Sequence, residues 1–155
     1  MNYSTAIVQL PLVREPGKQR ISTPADAYRV CVDIADLAQE AFQLLTLNAK
    51  NVLINRHLIS LGVTDAALVR PLEVFRAALT DGASALVLAH NHPSGQTDPS
   101  AEDLRITRQL IEAGKIIDIK ILDHVVIGRP VEPTGDQPGS PGFLSMRESG
   151  LVSFG

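Results

Sequence analysis

The chain has 155 residues, of which 45% are hydrophobic and 20% charged, and it carries a net charge of −3 at pH 7. This length and composition predict one globular domain with a proper hydrophobic core. The acidic balance and the scattered lysines and arginines argue against a domain that binds nucleic acid through bulk charge.

The cysteine content and the hydropathy pattern predict the cellular compartment of the protein. Cys31 is the single cysteine, so no intramolecular disulfide can form and a reducing compartment is indicated. Its neighbours Val30 and Val32 predict a buried structural thiol. No apolar run approaches membrane-spanning length, and the first residues lack the pattern of a signal peptide. We therefore expect a cytoplasmic protein without a membrane partner.

The N-terminal third predicts an extension, a helix and a hairpin. Residues 1–22 form an extension in which 6–12 is an extra strand or a tether. The sequence Thr-Pro-Ala-Asp at 23–26 is typical of a helix start, and the helix should continue to about Ala38. Apolar residues at 42–47 and 52–54, separated by a polar turn, predict a β-hairpin.

A second helix and a buried strand follow. The helix should begin after Arg70-Pro71 and end at Asp81-Gly82. Val74, Phe75, Ala78 and Leu79 are predicted to face inward. The aliphatic run Ser84–Ala89 then predicts a buried strand that ends at a histidine motif.

The histidine motif is His90-Asn91-His92, followed by Ser100 and Asp103, a spacing of H-x-H-x7-S-x2-D. Side chains at i and i+2 of an extended segment point to one side, so His90 and His92 can face the same ion. Two imidazoles and one carboxylate are the three protein ligands that a catalytic zinc site typically has. Iron, nickel and manganese also suit this donor set, and zinc fits it well.

Asp98-Pro99 predicts the start of the next helix, with Asp98 as its N-cap. The helix should run from about Pro99 to Ala113 and stop at Gly114. Ser100 and Asp103 would then share a face of its first turn, which can turn back toward the histidines.

The C-terminal part predicts two strands and a loop. Ile116–Leu122 and Val125–Ile127 are apolar runs typical of strands. Residues 128–142 are rich in proline and glycine and predict a mobile loop. Strands that alternate with helices indicate a layered α/β sheet covered on both sides.

A hydrolytic metal site also needs a base that is not itself a ligand, and Glu40 is the candidate. It lies at a predicted helix-to-strand junction, just before the first hairpin strand. On chemistry alone it is one of many acids in the chain, and a solvated carboxylate is the ordinary alternative.

Several patterns together resemble one known family, the RadC-type proteins of the JAB/MPN domain class, which belong to the JAMM metalloproteases. The matching stretches lie in the family's order between Thr23 and Leu151: Glu40-Ala41-Phe42, HNHPSG at 90–95, PS-x-x-D at 99–103, T-x-x-L at 107–110, Leu-Asp-His at 122–124 and S-x-x-E-x-G at 145–150.

The resemblance implies a three-layer α-β-α fold over residues 23–155, with a mixed sheet like that of cytidine deaminases. It implies that His90, His92 and Asp103 bind one zinc ion per chain. Glu40 would be the acid/base and Ser100 would donate to the oxyanion, in the hydrolysis of a peptide or isopeptide bond in a peptide or protein substrate. Residues 128–142 would be an insertion relative to shorter members.

Three other functions compete with hydrolysis as interpretations of this sequence. A RadC-type factor in DNA repair or mobile-element biology is the main alternative, although two-metal nucleases usually need more carboxylates than one. A binding module that has lost its motif disagrees with the complete set of motif residues. A deaminase is excluded because its P-C-x-x-C ligand pair needs two cysteines.

The chain contains two further histidines, which are also potential metal ligands. Three roles suit His124, beside Asp123: it interacts with a metal ligand, it lines a substrate groove, or it is a structural histidine at the start of a strand. His57, in the second hairpin strand, is predicted to be structural. Neither is assigned to the ligand set.

Overall fold

The structure is a computed structural model that describes residues 19–62 and 69–155. The proposed strand at 6–12 lies outside these ranges. Helix α1 (Pro24–Cys31) runs on into a 3-10 turn (Val32–Ile34), and strands β1 (Ala41–Leu47) and β2 (Leu53–Leu61) follow. Next come helix α2 (Pro71–Thr80), strand β3 (Ala85–Asn91), helix α3 (Ala101–Ile117), strand β4 (Lys120–Ile127) and strand β5 (Phe143–Ser145).

The five strands form one mixed sheet in the order β2-β1-β3-β4-β5. Strands β3 and β4 are parallel and the other neighbouring pairs are antiparallel. A parallel pair needs a long crossover connection, and α3 supplies it. The carboxyl ends of β3 and β4 and the amino end of β1 therefore lie at the same edge of the sheet.

Helices cover both faces of this sheet, as the sequence predicted. Helix α1 packs on one face over a core that includes Cys31, Leu45 and Val87. Helices α2 and α3 pack on the other face over a core that includes Phe75, Leu88 and Leu110. The fold is thus a three-layer α/β arrangement, in agreement with the JAB class.

Helix α1 begins as predicted and ends earlier. Thr23 is its N-cap, and the side chains of Thr23 and Asp26 form a reciprocal capping box. The α-helical part ends at Cys31, and the 3-10 turn ends at Ile34, before the predicted Ala38. Cys31 is fully buried, as predicted, and burial raises the pKa of its thiol to about 12.

Helix α3 differs from its prediction at both ends. Its N-cap is Ser100 rather than Asp98, because Ser100 and Asp103 form a capping box two residues further along the chain. The helix continues through Gly114 to Ile117, and Asp118 ends it in the left-handed conformation at φ 64°. Gly114 serves a close approach instead, since a Cβ there would lie 2.5 Å from the carbonyl oxygen of Ile119.

The strand after this helix was also predicted with wrong limits. Ile116 and Ile117 are helical, and Ile116 is 88% exposed. Strand β4 starts at Lys120 and runs unbroken to Ile127, so the two predicted strands are one. The short β5, which pairs with the end of β4, was not predicted.

One residue of α2 was assigned to the wrong side. Val74, Phe75 and Ala78 are buried, as predicted, but Leu79 is 60% exposed. At 3.6 residues per turn, Leu79 lies about 90° around the helix from the centre of the buried stripe. The core on this side is completed by α3 instead.

The Pro/Gly-rich segment 128–142 connects β4 to β5 at the sheet edge where β3 also ends. Isolated bridges pair Val131 with Ser140 and Thr134 with Gln137, so the segment folds back on itself. Its first residue packs closely on the loop after β3, because a Cβ on Gly128 would lie 2.3 Å from the carbonyl oxygen of Gly95. Among residues 19–62 and 69–155, none of the helices has both the length and the hydropathy that a membrane span requires.

Candidate metal centre

Three chain segments meet at the sheet edge where β3 ends. His90 lies in β3 and His92 follows the strand directly, while Asp103 is the third residue of α3. Glu40 immediately precedes β1, and the antiparallel pairing of Phe42 with His90 brings it alongside. The alternation of strand side chains places both imidazoles on the face that α3 covers.

The ligand atoms of the two histidines and the aspartate converge. The Nε2 atoms of His90 and His92 are 3.0 Å apart. Asp103 Oδ2 lies 3.2 Å from the first and 3.1 Å from the second. Zinc–ligand bonds near 2.0–2.1 Å in a tetrahedral site place neighbouring ligands about 3.3 Å apart. The observed triangle is therefore close to the size that one zinc ion needs.

Hydrogen bonds on the far side of each ring fix the tautomers. His92 Nδ1 lies 3.0 Å from the carbonyl oxygen of Gln96, which can only accept, so Nδ1 carries the hydrogen and donates. His90 Nδ1 lies 2.7 Å from Nε2 of His124. With the hydrogen on Nδ1, each ring directs the lone pair of its Nε2 to the common centre.

This arrangement leaves two imidazole lone pairs and a carboxylate oxygen facing one another. A cation at the centre, or a proton on one imidazole, is needed to offset their repulsion. The hydrogen bond with Asp103 accordingly raises the pKa of His92. Burial opposes ionisation of Asp103, but a proton on His90 or His92 that bonds to the carboxylate, together with the hydrogen bond from the Ser100 amide, outweighs it and holds the pKa of this carboxyl well below its usual range.

Glu40 stands slightly outside the triangle. Its Oε1 lies 3.9 Å from His90 Nε2, and the four ligand atoms all lie within 4.8 Å of one another. Among residues 19–62 and 69–155, this is the one group of three or more histidine, cysteine or acidic side chains with such spacing. Glu40 and His92 are partly exposed, whereas His90 and Asp103 are buried, so the group opens to solvent on one side.

Asn91, between the two histidines, was not singled out by the sequence and has a clear role in the structure. Its Oδ1 accepts a hydrogen bond from the amide of Ala41 at 2.7 Å, and its Nδ2 donates to the carbonyl oxygen of Gln39 at 3.0 Å. These two backbone groups flank Glu40. The fully buried amide of Asn91 thus fixes the backbone of the predicted base to the strand that carries the histidines.

Ser100, the predicted oxyanion donor, caps α3. Its Oγ accepts the amide hydrogen of Asp103 at 3.0 Å, and its own amide donates to Asp103 Oδ2 at 2.8 Å. The first bond uses an oxygen lone pair, which leaves the hydroxyl hydrogen free to point elsewhere. Ser100 is exposed. Its backbone also orients the Asp103 carboxylate toward the histidines.

His124 and His57 lie outside the converging set. His124 is fully buried behind His90, and burial, followed by the charge of His90, holds its pKa well below the usual value. His57 Nε2 pairs with Asp81 Oδ2 at 2.6 Å, near the opposite end of β1.

Comparison with known families agrees with the motif. Residues 21–151 match the RadC-like JAB domain. The chain belongs to the RadC-like JAB family. The RadC-like match covers β1, β3 and α3, and therefore includes every residue of the candidate metal centre.

Several curated proteins are similar to most of this chain. A UPF0758 protein of Rubrobacter xylanophilus is 41% identical over 145 residues, which are 93% of this chain and 59% of that protein. One from Symbiobacterium thermophilum is 44% identical over 77% of this chain and 47% of its own length. One from Methanosarcina mazei is 40% identical over 75% and 51%. The chain thus spans about half the length of the curated relatives it matches.

Proposed function

We propose that this chain is a zinc-dependent hydrolase of the JAMM type that cleaves peptide or isopeptide bonds. The observation that carries the proposal is the convergence of His90 Nε2, His92 Nε2 and Asp103 Oδ2 within 3.2 Å of one another, with Glu40 at 3.9 Å. Three protein ligands that leave a further position open are the pattern of catalytic rather than structural zinc sites.

The donor chemistry supports zinc as the ion. Two imidazole nitrogens and one carboxylate oxygen are ligands that zinc accepts, and the triangle has the size of a face of its tetrahedron. The tautomers favoured by the outer hydrogen bonds leave both Nε2 atoms free to coordinate. A bound zinc ion would polarise a carbonyl and lower the pKa of a bound water to roughly 7.

Glu40 and Ser100 are the side chains that we expect to take part in the remaining chemical steps. Glu40 would accept a proton from the attacking water and return it to the leaving amine. Asn91 holds the backbone on both sides of Glu40, and Glu40 Oε1 lies 3.9 Å from His90 Nε2, farther than the three ligand atoms lie from one another. Ser100 can donate its free hydroxyl hydrogen to the developing oxyanion, a contribution of about 3 kcal/mol in comparable sites.

Amide hydrolysis suits this site better than phosphodiester hydrolysis. Two-metal nucleases use several carboxylates to hold their ions, whereas this cluster offers Asp103 and the more distant Glu40. The net charge of −3 provides no electrostatic attraction for a polyanion. A DNA-directed role remains the alternative that the experiment must be able to detect.

The first test measures bound metal. Purified protein should contain about one equivalent of zinc by elemental analysis, in line with a single three-ligand site. The His92→Ala variant should contain none, because it lacks one of the three ligands. Equal zinc in the two proteins would contradict the assignment of the site.

The second test separates the base from the ligands and the amide substrates from DNA. Zinc-loaded protein and Glu40→Gln are incubated in parallel with peptide libraries, isopeptide-linked substrates and single- and double-stranded DNA. We expect amide cleavage by the parent protein, loss of cleavage in Glu40→Gln and full zinc in both. Loss of zinc from Glu40→Gln would show that Glu40 is a ligand. Metal-dependent cleavage of DNA without cleavage of any amide substrate would support the DNA-directed alternative instead.

A further inference from the structure

A continuous series of buried hydrogen bonds begins behind His90 and ends on the helix that carries Asp103. His90 Nδ1 lies 2.7 Å from His124 Nε2, and His124 Nδ1 lies 2.5 Å from Thr107 Oγ1. Thr107 Oγ1 lies 2.6 Å from the backbone carbonyl oxygen of Asp103. His124 and Thr107 are fully buried, and His90 is 1% exposed.

The hydrogen positions along this series follow from its last member. A carbonyl oxygen can only accept, so the Thr107 hydroxyl donates to Asp103. Thr107 Oγ1 must then accept from His124, which places the single ring hydrogen of His124 on Nδ1. Nε2 of His124 is left as an acceptor, and His90 Nδ1 donates to it. The lone pair of His90 consequently lies on Nε2, on the side of the metal centre.

We propose that Thr107 and His124 are positioning residues that hold His90 in its metal-binding tautomer and connect it to the segment that supplies Asp103. The inference rests on the proposed metal site and extends it to two residues outside the ligand set. Outer-sphere partners of a ligating histidine fix both the ring orientation and the tautomer, which raises metal affinity. Here the partner is another histidine, so its own tautomer needs the threonine.

The surroundings of His124 hold this ring firmly in place. Its backbone amide donates to Asp123 Oδ1 at 2.7 Å, and its carbonyl oxygen accepts from the amide of Met146 at 2.9 Å. The Phe42 ring packs edge-on against its imidazole at 5.4 Å between centroids. A ring fixed in this way can transmit a hydrogen-bond preference from Thr107 to His90 without changing its own position.

Asp123 and the turn after β5 support the same strand position. Ser145 Oγ donates to Asp123 Oδ2 at 2.5 Å, and the Arg147 amide donates to Asp123 Oδ1 at 3.1 Å. The Glu148 amide in turn donates to Ser145 Oγ. The Leu-Asp-His and S-x-x-E-x-G stretches of the sequence are therefore parts of one hydrogen-bonded unit that fixes the backbone of His124.

The competing explanation is that Thr107 and His124 only fill the core between α3 and the sheet. The two explanations differ in what a substitution changes. Loss of packing lowers the stability of the metal-free protein and leaves the metal affinity of the folded molecules unchanged. Loss of tautomer control allows His124 to carry its hydrogen on Nε2, which forces the hydrogen of His90 onto the nitrogen that should bind metal.

The experiment compares Thr107→Val with Thr107→Ser as its matched control. Valine keeps the shape of threonine and removes the hydroxyl, whereas serine removes only the methyl group and keeps the hydroxyl. Zinc affinity is measured by competition with a chromophoric chelator, and the stability of the metal-free proteins by urea unfolding. We expect zinc binding by Thr107→Val to weaken about 10-fold or more, because the hydrogen bond that fixes the His124 tautomer is lost. Zinc binding by Thr107→Ser should stay within about 3-fold of the parent, because that hydrogen bond is retained.

A second pair of variants tests His124 directly. The His124→Gln side chain can present an amide oxygen to His90 Nδ1, whereas His124→Leu offers no acceptor. Cobalt-substituted protein reports the ligand set through its visible absorption. The spectrum of His124→Gln should resemble that of the parent protein, while His124→Leu should show an altered spectrum and zinc binding weakened by about 10- to 100-fold.

The outcomes separate this inference from the proposed function. Zinc affinity and cobalt spectra that are unchanged in Thr107→Val and His124→Leu, in folded protein, would overturn the positioning role and leave the metal site intact. Equal zinc content in the parent protein and in His92→Ala would instead contradict the proposed metal site itself. If His124→Leu fails to fold, the two threonine variants still decide the question.

Discussion

Two clusters of histidine and aspartate occupy the same face of the sheet, at opposite ends of β1. At one end, the Nε2 atoms of His90 and His92 and the carboxylate of Asp103 meet within 3.2 Å. At the other end, Asp81 accepts hydrogen bonds at 2.6, 2.7 and 3.0 Å, from His57, Thr46 and Asn55. The two clusters contain the same residue types, but the lone pairs of their nitrogen and oxygen atoms have different partners.

The difference lies in how donors and acceptors are matched. Every bond to Asp81 joins its carboxylate to an N–H or O–H group, so the cluster is satisfied without any further atom. At the other end, both imidazoles already donate their hydrogens outward and present lone pairs to a carboxylate oxygen. A histidine–aspartate contact is therefore a candidate cation site only when the outer nitrogens of the rings are engaged as donors.

The largest expected effect is loss of metal from one cluster only. Asp103→Asn keeps an oxygen that can accept the Ser100 amide, so the helix start should survive, but it removes the charge that balances the ion. We expect zinc to fall from about one equivalent to near zero, in accordance with a three-ligand site. The matched variant Asp81→Asn should retain full zinc, and loss of zinc there would show that the two clusters are not independent.

The convergence of the candidate metal ligands could be predicted because these residues are close in sequence. His90 and His92 share a strand direction, and Ser100 and Asp103 share a helical turn, so local geometry brings each pair together. The Asp98-Pro99 pair, by contrast, misled the prediction of the helix start. Ser100 and Asp103 cap the helix themselves, and Asp98 is not needed as a cap.

The residues that support the site depend on contacts that local patterns do not reveal. Asn91 reaches the backbone on both sides of Glu40, which is about fifty positions earlier in the chain. Thr107 meets His124 seventeen positions later. Glu40 itself could be assigned only through the family resemblance, because nothing in its own neighbourhood distinguishes it from other acidic residues. Leu79 shows the converse, since its apolar side chain suits the core but faces solvent.

The second prediction concerns the buried amide beside the metal cluster. Asn91→Leu is nearly isosteric, but it leaves the Ala41 amide and the Gln39 carbonyl without their partner. We expect the free energy of unfolding to fall by about 2–4 kcal/mol, since the unsatisfied buried amide of Ala41 costs about 1–3 kcal/mol and the lost bond to the partly exposed Gln39 carbonyl about 1 kcal/mol. The matched change at the other cluster, Asn55→Leu, removes one half-buried bond and should cost about 1 kcal/mol. Urea unfolding of both variants checks the order, and a larger loss for Asn55→Leu would contradict it.

The third prediction concerns the pH dependence of the stability that the cluster around Asp81 contributes. Burial of Asp81 opposes its ionisation, but the bonds from His57, Thr46 and Asn55 outweigh that effect and lower its pKa below the ordinary value. A carboxyl with a lowered pKa stabilises the fold above its unfolded pKa of about 3.9 and loses that contribution as the pH falls through the folded value.

Asp81→Asn should therefore reduce the free energy of unfolding by about 1–2 kcal/mol at pH 6, where the charged bonds are intact. The difference between variant and parent should shrink as the pH falls below about 4, because Asp81 takes up a proton there in the unfolded chain and only at a lower pH in the folded protein. Urea unfolding at pH 6 and pH 3 measures it. A difference that widened toward low pH would reverse the sign and contradict the assignment.

The smallest expected effect is that of His57→Gln, and the same substitution in the other cluster, His92→Gln, is its matched comparison. A glutamine at position 57 can still donate an amide hydrogen to Asp81, and the side chain it replaces is 30% exposed. His57→Gln should change the free energy of unfolding by no more than about 0.5 kcal/mol and leave zinc content unchanged. His92→Gln should fold as well but lose its zinc, because an amide is a much poorer zinc ligand than a neutral imidazole. Zinc loss in both variants would place His57 in the metal site, and retention in both would remove His92 from it.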